Sequence, residues 1–136
     1  MSWDGYIDSV LGKSKGNCDK VCIIGLENGV CWTTAAHTSN LTGTPEEFQK
    51  IAGLMKSETF TTFQTDGIVL GGIKYRFLRS DEDEGLVLGK LKESGAVTIQ
   101  KTGTAVIIAH TIDGKNQGDV NTGVKEIVDY LKSLSM

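Results

Sequence analysis

Proline occurs once in this chain, at Pro45, and histidine only at His37 and His110. Alongside 17 glycines and 39% apolar residues, that scarcity excludes a proline-rich linker, a collagen-like repeat or a disordered tail, and predicts a compact soluble domain. An excess of one charge is also missing, since 14 basic and 17 acidic residues leave a net charge of −3. General affinity for nucleic acid rests on releasing counterions from phosphates and needs a basic footprint, so nucleic acid is not an expected partner. No apolar run approaches the roughly 18–20 residues of a membrane-spanning helix. The opening Met1-Ser2-Trp3-Asp4-Gly5-Tyr6 has neither the basic nor the apolar region of a secretory signal, so the expected location is cytoplasmic. Cys18, Cys22 and Cys31 are an odd number for a reducing compartment and read as small apolar strand residues, not bridges. Cys18 and Cys22 are expected to face the same side of one strand, and no second His or Cys pair completes a zinc site.

The length predicts a single domain over residues 1–136. Trp3, Tyr6, Ile7, Val10 and Leu11 recur at helical spacing over an arc of about 140°. Ser2 is the expected N-cap, Asp4 suits the positive end of the dipole, and Gly12 and Gly16 mark the exit. Lys20 to Leu26 reads as a buried strand, and Glu27-Asn28-Gly29 predicts a tight hairpin returning through Val30 to Ala35. Thr44-Pro45-Glu46-Glu47 opens a second helix, with an N-cap, proline in the first turn and acids at the dipole's positive end. Strands follow at Gly67 to Leu70, Ile73 to Leu78, Leu86 to Leu88, Ala96 to Gln100 and Thr104 to Ala109. The run Asp81 to Glu84 reads as a solvated loop, Gly71-Gly72 as a bend, and Val120, Val124, Ile127, Val128 and Leu131 as a last amphipathic helix. The order predicts an α+β domain built on an antiparallel sheet.

Signs of catalysis are absent. His37 and His110 stand far apart with no motif around them, and no nucleophile elbow, phosphate-binding loop or zinc spacing occurs. The expectation is a protein that is not an enzyme and needs no cofactor. The aromatic residues suggest another use. Tyr6 and Tyr130 fall at the rims of the apolar arcs of their helices, and side-by-side packing of those helices would make an exposed aromatic strip. Such a strip suits proline rings, because a polyproline II helix is ordered before it docks.

Four segments then resemble the profilin family. Trp3-Asp4-Gly5-Tyr6-Ile7-Asp8 is similar to its opening motif, and Leu70-Gly71-Gly72-Ile73-Lys74-Tyr75 to its Leu-Gly-Gly-x-Lys-Tyr segment. Ala96 to Thr102 resembles one of its strand pairs, and Asp129-Tyr130-Leu131 its C-terminal Asp-Tyr-Leu. In order and spacing these span nearly the whole chain. The resemblance implies a central antiparallel sheet with the N- and C-terminal helices packed on one face and shorter helical segments on the other. It implies a monomeric, cytoplasmic, cytoskeleton-associated protein that binds monomeric actin and proline-rich segments, sequesters actin monomers and delivers them to filament-elongating proteins.

By the same resemblance, Trp3, Tyr6, Trp32 and Tyr130 form the poly-proline groove, closed by Met136 where several members carry an aromatic residue. The actin face maps to Lys74, Arg76, Phe77, Arg79, Lys90, Thr98, Gln100, Gly118, Asn121, Lys125 and Glu126, with Phe77 as its apolar centre. Phosphoinositide head groups are a further implied partner, through Lys74, Arg76, Arg79, Lys90, Lys92 and Lys125. Gly89 stands where a basic residue is frequent. With the Met136 terminus, it keeps a second reading open, a proline-rich-ligand module with weak or lost actin binding. A small-molecule sensor or enzyme on a similar scaffold is the third reading, and it requires a cavity with convergent polar groups.

Overall fold

The computed structural model describes residues 3–136. Helix α1 (Asp4–Lys13) leads into strand β1 (Cys18–Gly25), followed by helices α2 (Pro45–Ser57) and α3 (Thr61–Asp66). Strands β2 (Ile68–Leu70), β3 (Ile73–Asp81), β4 (Leu86–Leu91), β5 (Gly95–Lys101) and β6 (Ala105–Thr111) precede helix α4 (Gln117–Ser133). The strands form a six-stranded sheet in the order β1-β6-β5-β4-β3-β2, antiparallel at every junction. The expected Ser2 cap lies outside the described residues.

Strand alternation sorts the core into two layers, because successive side chains leave opposite faces of a sheet. On one face Val21, Ile23, Ala105, Ile107 and Ala109 meet Ile7 and Val10 of α1 and Val120, Val124, Val128 and Leu131 of α4. On the other, Cys22, Ile24, Val87, Val97, Ile99, Val106 and Ile108 meet Phe48, Ile51 and Met55 of α2 and Phe63 of α3. The terminal helices therefore share one face and the shorter helices the other, as the resemblance implies.

Several local expectations change. The Asn28-Gly29 turn does not close a two-residue hairpin: only Gly29 has positive φ, and Gly29 N–H donates to Gly25 C=O at 2.8 Å across a wider loop. The return is one bridge, Ile24 to Cys31, after which the chain leaves to serve α1. Thr34 donates to Asp4 from its backbone N–H at 2.7 Å and its hydroxyl at 2.6 Å. Strand β1 takes β6 as its full partner instead. A register shift between Cys18 and Lys20 turns Cys18 to the α1/α4 layer and leaves Cys22 in the α2/α3 layer, so the two face opposite sides. Helix α3 has no counterpart in the sequence reading; its six residues are too few to show an apolar period.

The Gly71-Gly72 bend has a specific tether. Thr44 accepts from Glu47 N–H while the Glu47 carboxylate accepts from Thr44 N–H, a reciprocal cap at the start of α2. The same carboxylate accepts from Gly71 N–H at 2.9 Å and Gly72 N–H at 3.0 Å. Both glycines have positive φ, +60° and +78°, which a side-chain-bearing residue adopts only under strain. One glutamate thus joins helix α2 to the turn that launches β3.

Candidate functional site

Two surfaces carry the predicted residues. The first lies over the ends of α1 and α4. Trp3 heads α1, and its ring lies 5.2 Å from Tyr6 one turn on and 4.8 Å from Trp32, centroid to centroid. Tyr6 in turn lies 6.4 Å from Tyr130 of α4. The order Trp32–Trp3–Tyr6–Tyr130 is a continuous row of four rings at distances favourable to tilted aromatic pairs. Tyr6 is its buried floor, Trp3 and Trp32 are half-buried, and Tyr130 is 50% exposed. Burial, then the neighbouring Tyr130 phenol, pushes the Tyr6 phenol above its usual value. A notch of about 280 Å³ opens between Trp3 and Trp32. Trp32 reaches its place because the chain abandons β-pairing after Cys31; its indole nitrogen would sit 3.1 Å from a Cβ built on Gly25, so a side chain there would push it away. Met136 packs against the same core layer, and its carbonyl accepts from Thr104 N–H at 2.9 Å, fixing the end of the chain on the β5–β6 turn.

The second surface is the outer face of β3 and β4, beside α4. Register decides which side chains belong to it, since directly opposed residues share a face. Thr98 donates its hydroxyl proton to the side-chain oxygen of Asn121, so residue 98 faces α4. Leu88 opposes Thr98, Arg79 opposes Leu88, and Lys90 opposes both Ala96 and Arg76. Arg76, Arg79 and Lys90 therefore lie on the α4 side, and Lys74, two residues before Arg76, joins them. None of these four cations makes a salt bridge among the described residues. Gly118 and Lys125 are exposed on α4, with Asn121 half-buried between them. Lys125 lies 3.2 Å from Glu84 and 3.4 Å from Asp129.

Four expected contact residues are not on this surface. Thr98 and Gln100 are buried at 0% and 2% exposure; the first supports Asn121, and the second donates to Glu84 C=O at 3.2 Å. Phe77 opposes Gly89, which opposes Val97, so its ring turns inward against the α2/α3 layer and is not an exposed centre. Glu126 turns to α1, 3.3 Å from Lys13. The exposed apolar side chain here is Leu78, 53% accessible, the extra residue in the register shift between Phe77 and Arg79. Alternation alone misses it, because a bulge breaks the period of two. Gly89 cannot stand in for a basic residue: it faces inward, and a Cβ would lie 2.7 Å from Ile68 Cδ1.

A further cleft, of about 460 Å³, lies between the 35–42 loop and the β2–β3 turn, with His37 and His110 on its walls. His37 Nε2 is 2.8 Å from Asp8, and its Nδ1 accepts from Ser39 N–H at 3.0 Å. His110 Nδ1 is 2.6 Å from Asp19, and its Nε2 is 2.6 Å from Ser94 C=O. Both imidazoles are structural links between segments, with neither nitrogen of either ring left over for a proton transfer.

The fold is of the α+β class and carries an aromatic row and a cationic face on separate surfaces. A family model for profilin matches residues 1–136. The chain is 47% identical to profilin of Heliocidaris crassispina and 46% identical to profilin of Strongylocentrotus purpuratus, each over the full length of both chains. Among solved structures it resembles profilin IA of Acanthamoeba castellanii, with a TM-score of 0.82, 27% identity, and coverage of 99% of this chain and 100% of that one. It also shares its fold with mouse profilin IIa, solved with a double repeat from the FH1 domain of mDia1 (TM-score 0.78, 20% identity, 100% of each chain). LokiProfilin1, solved with rabbit actin, superposes with a TM-score of 0.74 at 21% identity over 96% of this chain and 93% of that one. This chain belongs to the profilin family, a family of non-enzymatic actin-binding proteins.

Proposed function

We propose that this protein binds proline-rich segments on its aromatic row and monomeric actin on the outer face of β3 and β4 with the first turns of α4. The observation that carries the reading is the convergence of Trp32, Trp3, Tyr6 and Tyr130, from a loop and two helices, into one row. Half-exposed rings over a buried floor suit the stacking of proline rings, with indole N–H and phenol O–H groups as donors to peptide carbonyls. The structure of mouse profilin IIa with FH1 repeats supports this assignment by family. Met136, fixed on the same side of the sheet, is the residue proposed to close the row.

For actin, Lys74, Arg76, Arg79 and Lys90 supply steering charge, Leu78 an apolar contact, and Gly118, Asn121 and Lys125 the α4 border. Charge of one sign around an apolar contact raises the rate of encounter more than the final affinity. The LokiProfilin1–rabbit actin structure supports the same class of partner. With both surfaces available on one monomer, the protein would hold actin monomers and hand them to proline-rich elongation factors in the cytoplasm, associated with the cytoskeleton.

Actin co-sedimentation is the test. Protein added before polymerisation should lower pelleted actin in proportion to dose, and Arg76→Glu with Lys90→Glu should abolish the effect while poly-proline binding persists. No effect by the unaltered protein would favour a proline-binding module that lacks actin binding. The cations Lys74, Arg76, Arg79 and Lys90 also favour phosphoinositide head groups at a membrane surface. Vesicles containing phosphatidylinositol bisphosphate should sediment the protein and the double variant should stay in solution; neutral vesicles serve as the control.

A further inference from the structure

We propose that Cys22 and Cys31 are a dithiol that hydrogen peroxide oxidises to an internal disulfide, with displacement of Trp32 from the aromatic row. Cys22 is fully buried on β1, on the face that carries Ile24. The Ile24–Cys31 bridge sets Cys31 diagonally across from Cys22 on that same face, packed against the same core layer. The Cys31 thiol donates to Thr33 C=O at 3.3 Å, and its sulfur meets the Thr33 hydroxyl at 3.4 Å. A cleft of about 270 Å³, walled by Val30, Pro45 and Phe48, opens onto Cys31 and admits a small oxidant.

The two thiols are matched to opposite roles. The neighbouring Cys22 thiol is the largest influence on Cys31; partial burial opposes it, Thr33 reinforces it, and the Cys31 thiol is held down to about 6. Burial pushes the Cys22 thiol well above its usual range. Cys31 is thus the thiolate that attacks and Cys22 the thiol that resolves. In the first step the Cys31 sulfur attacks one peroxide oxygen, the O–O bond breaks, hydroxide leaves and takes a proton as water, and Cys31 becomes a sulfenic acid. In the second, the Cys22 sulfur attacks the Cys31 sulfur, the S–O bond breaks, and the Cys22 proton departs with that oxygen as a second water. One peroxide is reduced to two waters as two thiols become one disulfide.

Closure moves backbone. Diagonal neighbours across paired segments lie about 7–8 Å apart at Cα, against about 4.4–6.8 Å in a disulfide. Residues 31–33 yield more readily than β1, because few hydrogen bonds hold them, chiefly Trp32 N–H to Ile23 C=O at 2.7 Å. Trp32 follows Cys31 directly, so its contact with Trp3 at 4.8 Å opens as the segment is drawn in. Neither the disulfide nor this movement rests on the proline-binding reading.

The experiment treats reduced protein with a small excess of hydrogen peroxide, blocks remaining thiols with iodoacetamide and digests with trypsin. Cleavage after Lys15, Lys20 and Lys50 leaves Cys22 and Cys31 together on the peptide 21–50 and Cys18 alone on 16–20. The expected result is peptide 21–50 without alkylation and two hydrogens lighter, with Cys18 still alkylated. Tryptophan fluorescence should shift in step, recover with dithiothreitol, and stay constant in Cys31→Ser, a change at a half-buried site. In Cys22→Ser, which keeps a donor beside Cys31 but cannot form the disulfide, dimedone should capture Cys31 as its sulfenic acid. Two alkylated cysteines on 21–50 after peroxide, a link to Cys18, or a disulfide between two copies of the chain would overturn the proposal. A disulfide that forms without a fluorescence change would overturn the displacement of Trp32.

Discussion

Replacing Glu47 by alanine removes one side chain and leaves three backbone N–H groups, those of Thr44, Gly71 and Gly72, without their carboxylate. A hydrogen bond to a charged group contributes about 1.5–3 kcal/mol when well shielded. These three share one partly exposed carboxylate and water replaces it in the variant, so the combined loss is expected at about 1–2 kcal/mol, close to the cost of losing an N-cap. With a urea slope of about 1–3 kcal/mol per molar, the midpoint should fall by roughly 1 M. The pH dependence adds a second reading. Partial burial raises the Glu47 pKa, but the N–H groups of Thr44, Gly72 and Gly71 together outweigh it and hold the carboxyl below its usual value. A depressed folded pKa means that the stability is present above the unfolded value of about 4.3 and is lost as pH falls through the folded one. Urea unfolding followed by circular dichroism should therefore show wild type and Glu47→Ala far apart at pH 7 and converging as the pH falls below the unfolded value. A gap under about 0.5 kcal/mol at pH 7, or one that does not narrow with acid, would refute the reasoning.

Gly89→Ala should lower stability by about 1–3 kcal/mol, read from the same urea midpoint, because the added methyl overpacks a closed layer. It would lie 2.7 Å from Ile68 Cδ1 and 3.1 Å from Arg76 C=O, and an unchanged midpoint would mean that residue 89 faces outward after all. Alkaline solution should expose Cys18: burial pushes its thiol up to about 12, while the unfolded thiol ionises near its ordinary value. A raised folded pKa gives stability that is complete at neutral pH and is lost as pH climbs toward about 12, at up to about 1.4 kcal/mol per unit. The decline should be shallower in Cys18→Ala, and equal slopes for the two proteins would count against the burial argument.

How much could be read in advance varied with the kind of signal. Helices α1, α2 and α4 and the five later strands were visible because each carries its own apolar period or cap, as with Thr44-Pro45-Glu46-Glu47. Strand β1 was visible too, but its partner was not. Asn28-Gly29 favours a hairpin locally, while Trp32 gains more by stacking on Trp3 and Thr34 by bonding to Asp4, and those contacts are 29 and 30 residues away in sequence. The aromatic row followed from rim positions on two helices together with the family resemblance. On the cationic face the sequence motifs named the strands correctly, yet facing depends on register. The bulge at Leu78 sends Phe77 inward and Leu78 outward, and the closeness of α4 buries Thr98 and Gln100. Neither effect leaves a mark in composition or spacing.

The most direct test of the two-surface account is a fluorescence titration with poly-L-proline, in which the two tryptophans, Trp3 and Trp32, are the only indole reporters. A saturable change is expected for the unaltered protein. In Trp3→Ala, which removes the ring joining Trp32 to Tyr6, affinity should fall by about 30-fold or more, the consequence of a central anchor worth about 2 kcal/mol. Circular dichroism should show that variant still folded. A flat titration on folded wild-type protein, or equal affinities for the two proteins, would contradict the account and leave the four rings as part of the core alone.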